Sequence, residues 1–589
     1  MGNAEIAKLF KNIAAAYAIK DEKKFHFQIV AYQKASEAVT NTTSELKDLY
    51  KEKKLDSLPG IGPTIRSRLE ELFEKGKVKH FEWVMKGIPK SVFPLLDVPT
   101  LGPKKAYRLT TEFSLTNPQT VVSDLEKAAK KGKIAKLEGF GDKSQEDILQ
   151  AIAEYRLGKG KAKRMPLPYA FEVAEKLVSH LKESKAVVEA VALRSLRRMK
   201  PTVGDIDIAL ATDKPQEAVK HFVSYPYKDR IIEQGPSSAS ILTTGGKQID
   251  LMVSPAAGFG SLLQHFTGSK DHNVRLREHA LKKGLSLSER GTKDLKKKDN
   301  MIKQYRTEEE LYTALGMEWI PPEIREDTGE VELAIKHELP KLVELQDMKG
   351  DLHIHSNFPI EPSHDLGHSP ITKMAEYAKK LNYEYIGFSE HNPSISIHSS
   401  PKIYSLISRR NEEIEHIKSS IKSIQIIKML EIDILTNGDL SIDNKSLSIL
   451  DGAIVSIHSS FGMNKAQMTD RIIKGLSHPK AKILAHPTGR MLNERPGYDL
   501  DFEKILEFCK ENNKALEINS WPTRLDPPDN IIRLAVDNGV KLVINTDSHD
   551  LWQMDLVRYG VAMARRGWAK SSDIVNVLGY NDFVKWLKS

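Results

Sequence analysis

Residues 203–210 read Val-Gly-Asp-Ile-Asp-Ile-Ala-Leu, and this stretch decides how the first half of the chain is interpreted. Asp205 and Asp207 are two residues apart in an apolar run of β type, so both side chains point to one face of a strand. Two carboxylates on one face repel each other unless a cation lies between them, and an unpaired one is costly to bury. Oxygen ligands of this kind suit Mg²⁺ or Mn²⁺. The stretch is therefore a candidate metal site. Taken alone, however, these two residues favour a simpler alternative, in which an edge strand carries one aspartate exposed to solvent and a second aspartate lies in a turn.

A third carboxylate and a basic turn favour the metal site. Asp250 lies in the apolar run Gln-Ile-Asp-Leu-Met-Val at residues 248–253. Three carboxylates that converge from neighbouring strands form a two-metal site for in-line phosphoryl transfer. Upstream, residues 194–200 read Arg-Ser-Leu-Arg-Arg-Met-Lys. Serine and arginine side chains in such a turn can cradle a triphosphate, with Arg198 supplying charge for the leaving group.

The composition is that of a globular protein with several domains. The chain has 589 residues, of which 40% are hydrophobic and 28% charged, and its length suggests about four domains. The net charge of +9 is compatible with an anionic partner, but also with solubility alone. A single cysteine, Cys509, excludes an internal disulfide framework and is read as structural. With no apolar signal-peptide core and no stretch that could span a bilayer, we expect a soluble, cytoplasmic protein without a membrane partner.

Three glycine turns recur in the first 160 residues. They lie at residues 58–65, 98–105 and 137–144, and Thr100 occupies the first glycine position of the second turn. A glycine turn that opens a helix presents backbone N–H groups, which bind phosphate without reading base sequence. Repetition at roughly forty residues indicates an internal repeat. The turns resemble helix-hairpin-helix motifs that bind the DNA backbone, and the resemblance implies contacts from Gly60, Gly62, Gly102, Gly139 and Gly141.

The motifs from the basic turn onward resemble the nucleotidyltransferase palm of family X DNA polymerases, the DNA polymerase beta group. Residues 265–277 agree, since His-Phe-Thr-Gly-Ser with a following asparagine and arginine resembles that family's nucleotide-selecting motif, Tyr-Phe-Thr-Gly-Ser. The resemblance covers residues 1 to about 320. It implies that Asp205 and Asp207 bind both Mg²⁺ or Mn²⁺ ions and that Asp250 helps to activate the primer 3′-hydroxyl. The nucleotide-binding residues that it implies are Ser195, Arg198 and Gly204, with Phe266 and Gly268 at the sugar, Asn273 at the base, and Arg277 on the template side.

Three positions depart from the family pattern. Arg194 stands where the family has a glycine at the triphosphate, so its side chain could crowd or rearrange the phosphates. His265 replaces the usual tyrosine. Arg68 takes the place of the lysine with which beta-type enzymes form a Schiff base on abasic sugars. Because a guanidinium stays protonated and cannot form that imine, we expect little lyase activity.

The second half shows histidines and acids at the ends of apolar runs, beginning with Asp-Leu-His-Ile-His at residues 351–355. His353 and His355 have the same strand spacing as the two aspartates. Between such runs lie helical stretches, such as residues 371–381 and 502–512, and this alternation predicts a parallel sheet or barrel. Polar ligands at the C-terminal ends of strands are where barrel enzymes place their chemistry. Mixed histidine and carboxylate ligands suit Zn²⁺, Mn²⁺ or Fe.

This pattern resembles the polymerase and histidinol phosphatase (PHP) domain, a distorted (β/α)7 barrel with a trinuclear metal site. The resemblance implies up to three Zn²⁺ or Mn²⁺ ions, with Glu431 bridging. For a further ligand in the loop after His355 we choose Asp365, with His364 and Glu361 as rivals. Asp550 and Arg490 are weaker candidates for the substrate phosphate. The implied ligands are His353, His355, Asp365, His391, Glu431, His458, His486, Asp547 and His549.

The whole chain thus resembles prokaryotic family X DNA polymerases with a C-terminal PHP domain, a multidomain α+β and α/β fold. We expect gap-filling synthesis in DNA repair on gapped or primer-template DNA with deoxynucleoside triphosphates, by a monomer. The PHP domain would act as a 3′–5′ exonuclease, 3′-phosphatase and AP endonuclease. One alternative is a PHP nuclease or phosphatase whose polymerase half is only a DNA-binding scaffold, and another is a non-catalytic repair scaffold. The expected segments are a helical DNA-binding domain (1–86), a fingers-like helical domain (87–160), a palm (161–256), a thumb (257–320), a charged linker (321–346) and the PHP domain (347–589).

Overall fold

The computed structural model describes residues 1–42, 45–58, 61–98, 101–159, 164–297 and 301–589. The expected boundary between fingers and palm at 160/161 lies outside these residues. The chain forms two compact units. The first comprises Met1–Arg164, Pro226–Ile232 and Ile241–Gln248, and the second comprises Met165–Tyr225, Glu233–Ser240 and Ile249–Ser589. Within the described residues, no helix has the length and apolar character needed to cross a membrane.

The N-terminal part of the first unit is helical and has two hydrophobic cores. Phe10 packs against Tyr32 and Phe81 in the first core, with ring centroids 5.6 and 6.2 Å apart. Leu109 and Leu125 are buried in the second core. The helices are α1 (Asn3–Asp21), α2 (His26–Asn41), α3 (Leu46–Lys51), α4 (Pro63–Lys75), α5 (Lys79–Met85), α6 (Val92–Leu95), α7 (Pro103–Glu112), α8 (Val121–Lys130) and α9 (Asp142–Lys159).

The next segment of the chain carries the opening motif and belongs to the second unit except for residues 226–232 and 241–248. Its elements are β1 (Met165–Pro166), α10 (Leu167–Lys182), β2 (Glu189–Ala192), α11 (Arg194–Arg197), β3 (Thr202–Val203), β4 (Ile206–Ala211), α12 (Pro215–Phe222), β5 (Lys228–Gln234), β6 (Ser238–Thr243) and β7 (Gln248–Ser254). Five strands lie in the order β2-β4-β7-β6-β5. The strand β4 is antiparallel to β2, parallel to β7 and buried at every position. The sheet therefore holds the motif in a rigid, central strand.

The next segment is the thumb region and the stretch expected to be a linker. Its elements are α13 (Phe259–Thr267), α14 (Lys270–Lys282), β8 (Leu285–Ser288), β9 (Gly291–Asp294), β10 (Ile302–Lys303), α15 (Glu308–Ala314) and α16 (Glu330–Lys336). Residues 321–346 differ from the expectation of a charged linker, because Ile324, Val331 and Leu342 share one hydrophobic core with Leu311 of α15. Composition misleads here, since two of the charged residues are buried in pairs, Arg325 with Glu308 and Glu330 with His272.

The C-terminal region is the expected distorted barrel. Its strands are β11 (Gly350–Ile354), β12 (Tyr385–Phe388), β13 (Gln425–Lys428), β14 (Glu431–Asp433), β15 (Ala453–Ser456), β16 (Ala481–Leu484), β17 (Ala515–Asn519) and β18 (Lys541–Asn545). They form two parallel sheets, β11-β12-β13 and β14-β15-β16-β17-β18. Parallel bridges from His391 to Glu431 and from Ile354 to Ser548 join the sheets at both edges. Because β13 and β14 share one strand position, the barrel has seven positions, and the predicted fold class is confirmed.

Helices cover the outside of this barrel. They are α17 (Ile371–Lys380), α18 (Ser400–Ser420), α19 (Asn444–Ser448), α20 (Lys465–Leu476), α21 (Phe502–Glu511), α22 (Asp529–Asp537), α23 (Val557–Arg566) and α24 (Tyr580–Lys588). In α17 the buried residues Ile371, Met374, Ala375 and Ala378 form one helical stripe against the strands. Cys509 is a buried free thiol on the inner face of α21, consistent with a structural role.

Glu308 ties the basic turn to the thumb and to the segment after it. Its carboxylate accepts hydrogen bonds from Arg197 at 2.9 and 2.8 Å and from Arg325 at 2.6 and 3.1 Å, and all three side chains are largely buried. We expect Glu308→Ala to lower the free energy of unfolding by about 3–5 kcal/mol, because two buried guanidinium groups lose their partner. Urea unfolding measures the change.

The neighbouring exposed residue provides the control, since Glu309→Ala should change stability by about 0.5 kcal/mol or less. Burial alone would raise the pKa of Glu308, but Arg325 and Arg197 lower it to about 2. The difference in the free energy of unfolding between wild type and Glu308→Ala should be fully present at pH values above 4.5, the ordinary pKa of glutamate. It should decrease as the pH falls toward 2. Equal effects of the two substitutions would contradict this assignment.

Candidate metal centres

The first centre lies on the palm sheet. Asp207 on β4 and Asp250 on β7 are direct register partners in a parallel pair, so their side chains share one face of the sheet. Asp205 precedes β4 and is exposed, whereas the side chain of Asp207 is only 2% exposed. Ser240 donates a hydrogen bond of 2.5 Å to Oδ1 of Asp250. The three predicted carboxylates therefore converge at the start of two central strands.

The pKa of Asp207 is raised to about 6, and burial is the main cause. The carboxylates of Asp250 and Asp205 contribute to the rise, and Arg194 opposes it. The carboxylates favour a positively charged partner, which is the property that a divalent cation site needs.

Arg194 supplies that positive charge in this structure. Its Nε lies 2.7 Å from Oδ2 of Asp207. The backbone of Arg194 has φ +54°, in the left-handed region that favours glycine, and its side chain remains half exposed. The side chain expected to crowd the phosphates thus contacts the buried carboxylate instead.

The other residues of the basic turn have different partners. Ser195 lies in α11, and Gly204 lies in the turn between β3 and β4. Arg198, predicted to serve the triphosphate, is buried and donates from Nε to Glu326 at 3.0 Å and from Nη1 to the carbonyl of Thr267 at 2.7 Å. In this structure the guanidinium of Arg198 is therefore already engaged by protein acceptors.

The nucleotide-selecting residues form one cluster where α13 ends and α14 begins. Asn273 donates to the carbonyl of His265 at 2.7 Å and accepts from Gln264 at 2.9 Å, and Nη2 of Arg277 lies 3.3 Å from Nδ1 of His265. A Cβ at Gly268 would lie 2.7 Å from Oδ1 of Asn273, so only glycine fits there. The ring of Phe266 packs edge-on against His265 with centroids 4.8 Å apart.

The glycine turns open helices as predicted. Gly62 and Gly102 are the N-caps of α4 and α7, and Gly141 directly precedes α9. These three glycines are exposed, and apart from their chain neighbours no described atom lies within 4 Å of a Cβ built on them. Gly139 has φ +77°. Gly60 and Thr100 lie outside the described residues.

The second centre lies where the barrel strands end. Glu431 begins β14, its carboxylate is only 1% exposed, and four imidazoles lie within 3.3 Å of it, with His355 Nε2 as a fifth at 3.6 Å. The distances from its oxygens are 3.2 Å to His353 Nε2, 2.9 Å to His391 Nδ1, 3.3 Å to His458 Nε2 and 2.9 Å to His486 Nε2. One carboxylate reached from opposite sides has the geometry of a bridging ligand.

Two further carboxylates complete the arrangement. Oδ1 of Asp547 lies 3.5 Å from His353 Nε2 and 3.2 Å from His355 Nε2. Asp365 lies between His391 and His549, 3.2 Å from Nε2 of each. The potential ligands therefore fall into three adjoining groups. The first is His353, His355 and Asp547 with Glu431, and the second is His458 and His486 with Glu431. The third is His391, His549 and Asp365.

Asp365 and its two rivals have different partners. Nε2 of His364 lies 3.0 Å from Asp433, beside His458 of the cluster, and Glu361 lies 3.0 Å from Nε2 of His398. Asp365 has two histidines of the cluster on it and stays the preferred candidate.

The donor set fits bound cations. Nε2 of His353, Nε2 of His355, Nδ1 of His391 and Nε2 of His549 are buried, and none of them has hydrogen-bond geometry with a described residue. Each nevertheless lies 2.9–3.2 Å from a carboxylate oxygen, so nitrogen and oxygen lone pairs face each other, and a cation or a proton between them would satisfy both. Burial and the neighbouring His549 lower the pKa of His355 to about 3. Burial alone would lower the pKa of His391, but Glu431 and Asp365 raise it to about 10.

Residues behind the ligands orient them, and sequence reasoning missed these. Oε1 of Glu517 lies 2.7 Å from His353 Nδ1, while Oε2 accepts from the backbone N–H of His486 at 2.7 Å. Oδ1 of Asp433 lies 2.7 Å from His458 Nδ1. Both acids stand in apolar strand runs, the signal that singled out Glu431. Such carboxylates fix the histidine tautomer and raise its basicity.

The two weaker phosphate candidates have structural roles. Arg490 donates from Nε to the carbonyl of Arg524 at 3.0 Å and from Nη2 to that of Leu525. Asp550 accepts from Ser369 at 2.5 Å and caps the turn that follows. In this structure both side chains are therefore engaged by protein partners. The cation at the cluster is Arg524, whose Nε lies 3.7 Å from Oδ2 of Asp547.

A third group of potential ligands, His180, Glu183 and His221, does not have metal-site geometry. The two imidazole rings are stacked, with centroids 4.2 Å apart and planes at 14°. An ion must lie near the plane of each imidazole that binds it, and nearly parallel stacked planes do not meet at one point. Each Nε2 also contacts the other histidine's carbonyl, at 3.2 and 2.8 Å. This pair stabilises the contact between α10 and α12.

Comparison with known proteins gives matches along the whole chain. Residues 1–78 match the helix-hairpin-helix domain model, residues 262–326 the DNA polymerase beta thumb, and residues 351–521 the PHP domain. The chain is 33% identical over 593 positions to a Bacillus subtilis protein named DNA polymerase/3′-5′ exonuclease PolX, covering 100% of both chains.

Two other relatives each match part of the chain. A probable phosphatase of Acetivibrio thermocellus is 28% identical over 207 residues, which is 34% of this chain and 78% of that protein. DNA polymerase lambda of Rattus norvegicus is 22% identical over 353 residues, which is 55% of this chain and 56% of that protein.

We expect Glu517→Gln to weaken metal binding in the barrel about 10- to 100-fold, because an amide is a poorer acceptor for His353 Nδ1 and lowers the basicity of that histidine. Metal retained after titration with a chelator, measured by mass spectrometry, reports the affinity. The exposed Glu507 on α21 provides the matched control, Glu507→Gln. Metal retention that is the same in both variants would show that Glu517 does not support the centre.

Proposed function

The chain belongs to the family X DNA polymerases that carry a PHP domain, and we propose that it fills short gaps during DNA repair and processes 3′ ends in its barrel. The observation that carries the proposal is the presence of two separate buried carboxylate centres in one chain. Asp207 pairs in register with Asp250, and Glu431 is ringed by four imidazoles. Each centre needs divalent cations, and each suits phosphate chemistry.

In the palm, Asp205 and Asp207 would hold two Mg²⁺ or Mn²⁺ ions. Bound there, the ions would supply charge stabilisation for in-line displacement at phosphorus. Asp250, held by Ser240, would accept the proton of the primer 3′-hydroxyl. Ser195 and the turn at Gly204 would receive the triphosphate.

The cluster at the start of α14 would select the nucleotide. Phe266 and Gly268 would line the sugar, since the missing side chain of Gly268 leaves room beside Asn273. Asn273 would reach the incoming base and Arg277 the template side. For this, Asn273 would exchange its contacts with Gln264 and His265 for contacts with the base.

The helix N-termini at Gly62, Gly102 and Gly141 would bind the DNA backbone. The exposure of these glycines supports phosphate contacts through backbone N–H groups, without selection for sequence. The partner is gapped or primer-template DNA, and we propose a cytoplasmic monomer as the working form.

The barrel would hold up to three Zn²⁺ or Mn²⁺ ions on the nine ligands named above and act at blocked or abasic 3′ ends. Divalent ions in such a site lower the pKa of bound water and clamp phosphate oxygens. Glu431 would hold two ions at once, and Glu517 and Asp433 would keep His353 and His458 oriented. The proposed activities are 3′–5′ exonuclease, 3′-phosphatase and AP endonuclease.

The domain limits proposed from the sequence are kept, with one change. Residues 321–346 share the hydrophobic core of α15, which supports joining them to the thumb. A palm that only binds DNA is the second candidate function, and the position of Arg194 on Asp207 is the observation that favours it. The full-length similarity to a protein named as a polymerase supports an active palm.

Two variants separate the centres on a one-nucleotide gap. Asp207→Ala should reduce gap filling at least about 100-fold and leave 3′-end degradation unchanged, because only the palm loses a metal ligand. His353→Ala should reduce 3′-end degradation and leave gap filling unchanged, because only the barrel loses a metal ligand. Primer extension and 3′-end degradation are measured separately on labelled DNA.

The exposed residues Asp213 and His416 provide the matched controls, Asp213→Ala and His416→Ala. Degradation that survives both His353→Ala and Asp547→Ala would refute the barrel assignment. Gap filling that survives Asp207→Ala would refute the palm assignment.

Arg68 makes lyase chemistry by the usual route unfavourable. The residue lies on α4, with Nη1 3.6 Å from Glu71, near Tyr17 and His80. A guanidinium forms no imine with an abasic sugar, so borohydride should trap no covalent adduct on a 5′-deoxyribose phosphate substrate. A trapped adduct in wild type that disappears in Arg68→Ala would contradict this expectation.

A further inference from the structure

We infer that Arg194 is a built-in counter-ion of the palm centre, which occupies the cation position beside Asp207 and leaves it when a divalent ion arrives with the nucleotide triphosphate. The inference rests on the proposed function of the palm. It assigns Arg194 a role in coupling metal binding to nucleotide binding.

The contact has one buried end and one accessible end. Nε of Arg194 lies 2.7 Å from Oδ2 of Asp207, and apart from this ion pair that oxygen accepts no hydrogen bond from a described residue. The Asp207 side chain is 2% exposed, whereas that of Arg194 is 50% exposed. A cation that binds Oδ2 must therefore displace the guanidinium, and the guanidinium has open space into which it can move.

The neighbouring arginines cannot play this part. Arg197 is bound to Glu308 through two hydrogen bonds, and Arg198 is bound to Glu326 and to the carbonyl of Thr267. Within α11 and the residue after it, Arg194 has the most exposed arginine side chain, at 50% against 17% and 12%. Once displaced, it is the arginine free to meet an anion next to Ser195.

The backbone at Arg194 accommodates glycine better than arginine. Its φ of +54° lies in the left-handed region, where a Cβ is disfavoured and glycine is not. Removal of the side chain by substitution with glycine should therefore leave the turn intact. This makes Arg194→Gly a clean test of the side chain alone.

Displacement has a thermodynamic consequence. The apparent affinity for an ion is the intrinsic affinity multiplied by the fraction of molecules in which the binding position is free. If the ion pair between Arg194 and Asp207 is formed in about 90% of molecules, binding is about tenfold weaker. A triphosphate that attracts the released guanidinium favours the open state. Metal and nucleotide should therefore each strengthen the binding of the other.

Mn²⁺ binding to the full-length protein, followed by electron paramagnetic resonance, tests the inference. The palm component is the part of the titration that is lost in Asp207→Ala. Without nucleotide, Arg194→Gly should bind this Mn²⁺ about tenfold more tightly than wild type. A non-hydrolysable deoxynucleoside triphosphate analogue should then strengthen Mn²⁺ binding less in Arg194→Gly than in wild type.

Two controls separate the possible outcomes. Arg194→Lys keeps a cation and should stay close to wild type, and Arg290→Ala removes an exposed charge in the thumb and should change nothing. An unchanged palm component in Arg194→Gly would overturn the inference while leaving the palm assignment in place. No component lost in Asp207→Ala would overturn the proposed palm function, and the inference with it.

Discussion

A carboxylate that leaves water needs positive charge within a few ångströms, and this constraint shapes both halves of the chain. Glu431 and Asp207 are nearly fully buried acids at the starts of β14 and β4. In the barrel, imidazoles from four different strand ends surround the carboxylate of Glu431. In the palm, two more aspartates add negative charge beside Asp207, and a single guanidinium offsets it. The two centres therefore offset the charge of a buried carboxylate with different partners, imidazoles in the barrel and a guanidinium in the palm.

Strand geometry explains why these residues could be found in the sequence. Side chains two residues apart share a face, so Asp205 with Asp207 and His353 with His355 indicate a site once the motifs around them are taken into account. The ends of parallel strands meet at one edge, which brings the remaining barrel ligands together once the barrel closes. The backbone bridge between His391 and Glu431 joins the two sheets of the barrel, so two of the candidate ligands also help to close it.

The sequence was less informative wherever the partner of a charge decides its role. Glu517 has the same pattern as Glu431 but lies behind His353, and spacing does not separate a ligand from the residue that orients it. Arg490 looked like a phosphate binder, yet backbone carbonyls engage it. Residues 321–346 looked like a solvated linker because composition counts charges and not pairs. Long-range partners such as Glu308 with Arg325 exist only after folding.

The basic turn shows how closely the palm is bound to the rest of its unit. Its three arginines contact three carboxylates, which are Asp207 in the palm, Glu308 in the thumb and Glu326 beside the barrel. Arg566 of α23 donates to Glu326 and to the carbonyl of Arg198, and it also pairs with Asp529 of α22. Glu308 and Glu326 cannot lose their arginines cheaply, because an unpaired buried charge is costly. Any movement of the turn on nucleotide binding therefore has to be met by the thumb and by the outer helices of the barrel. The side chain of Arg194, with its open end, can move without that cost.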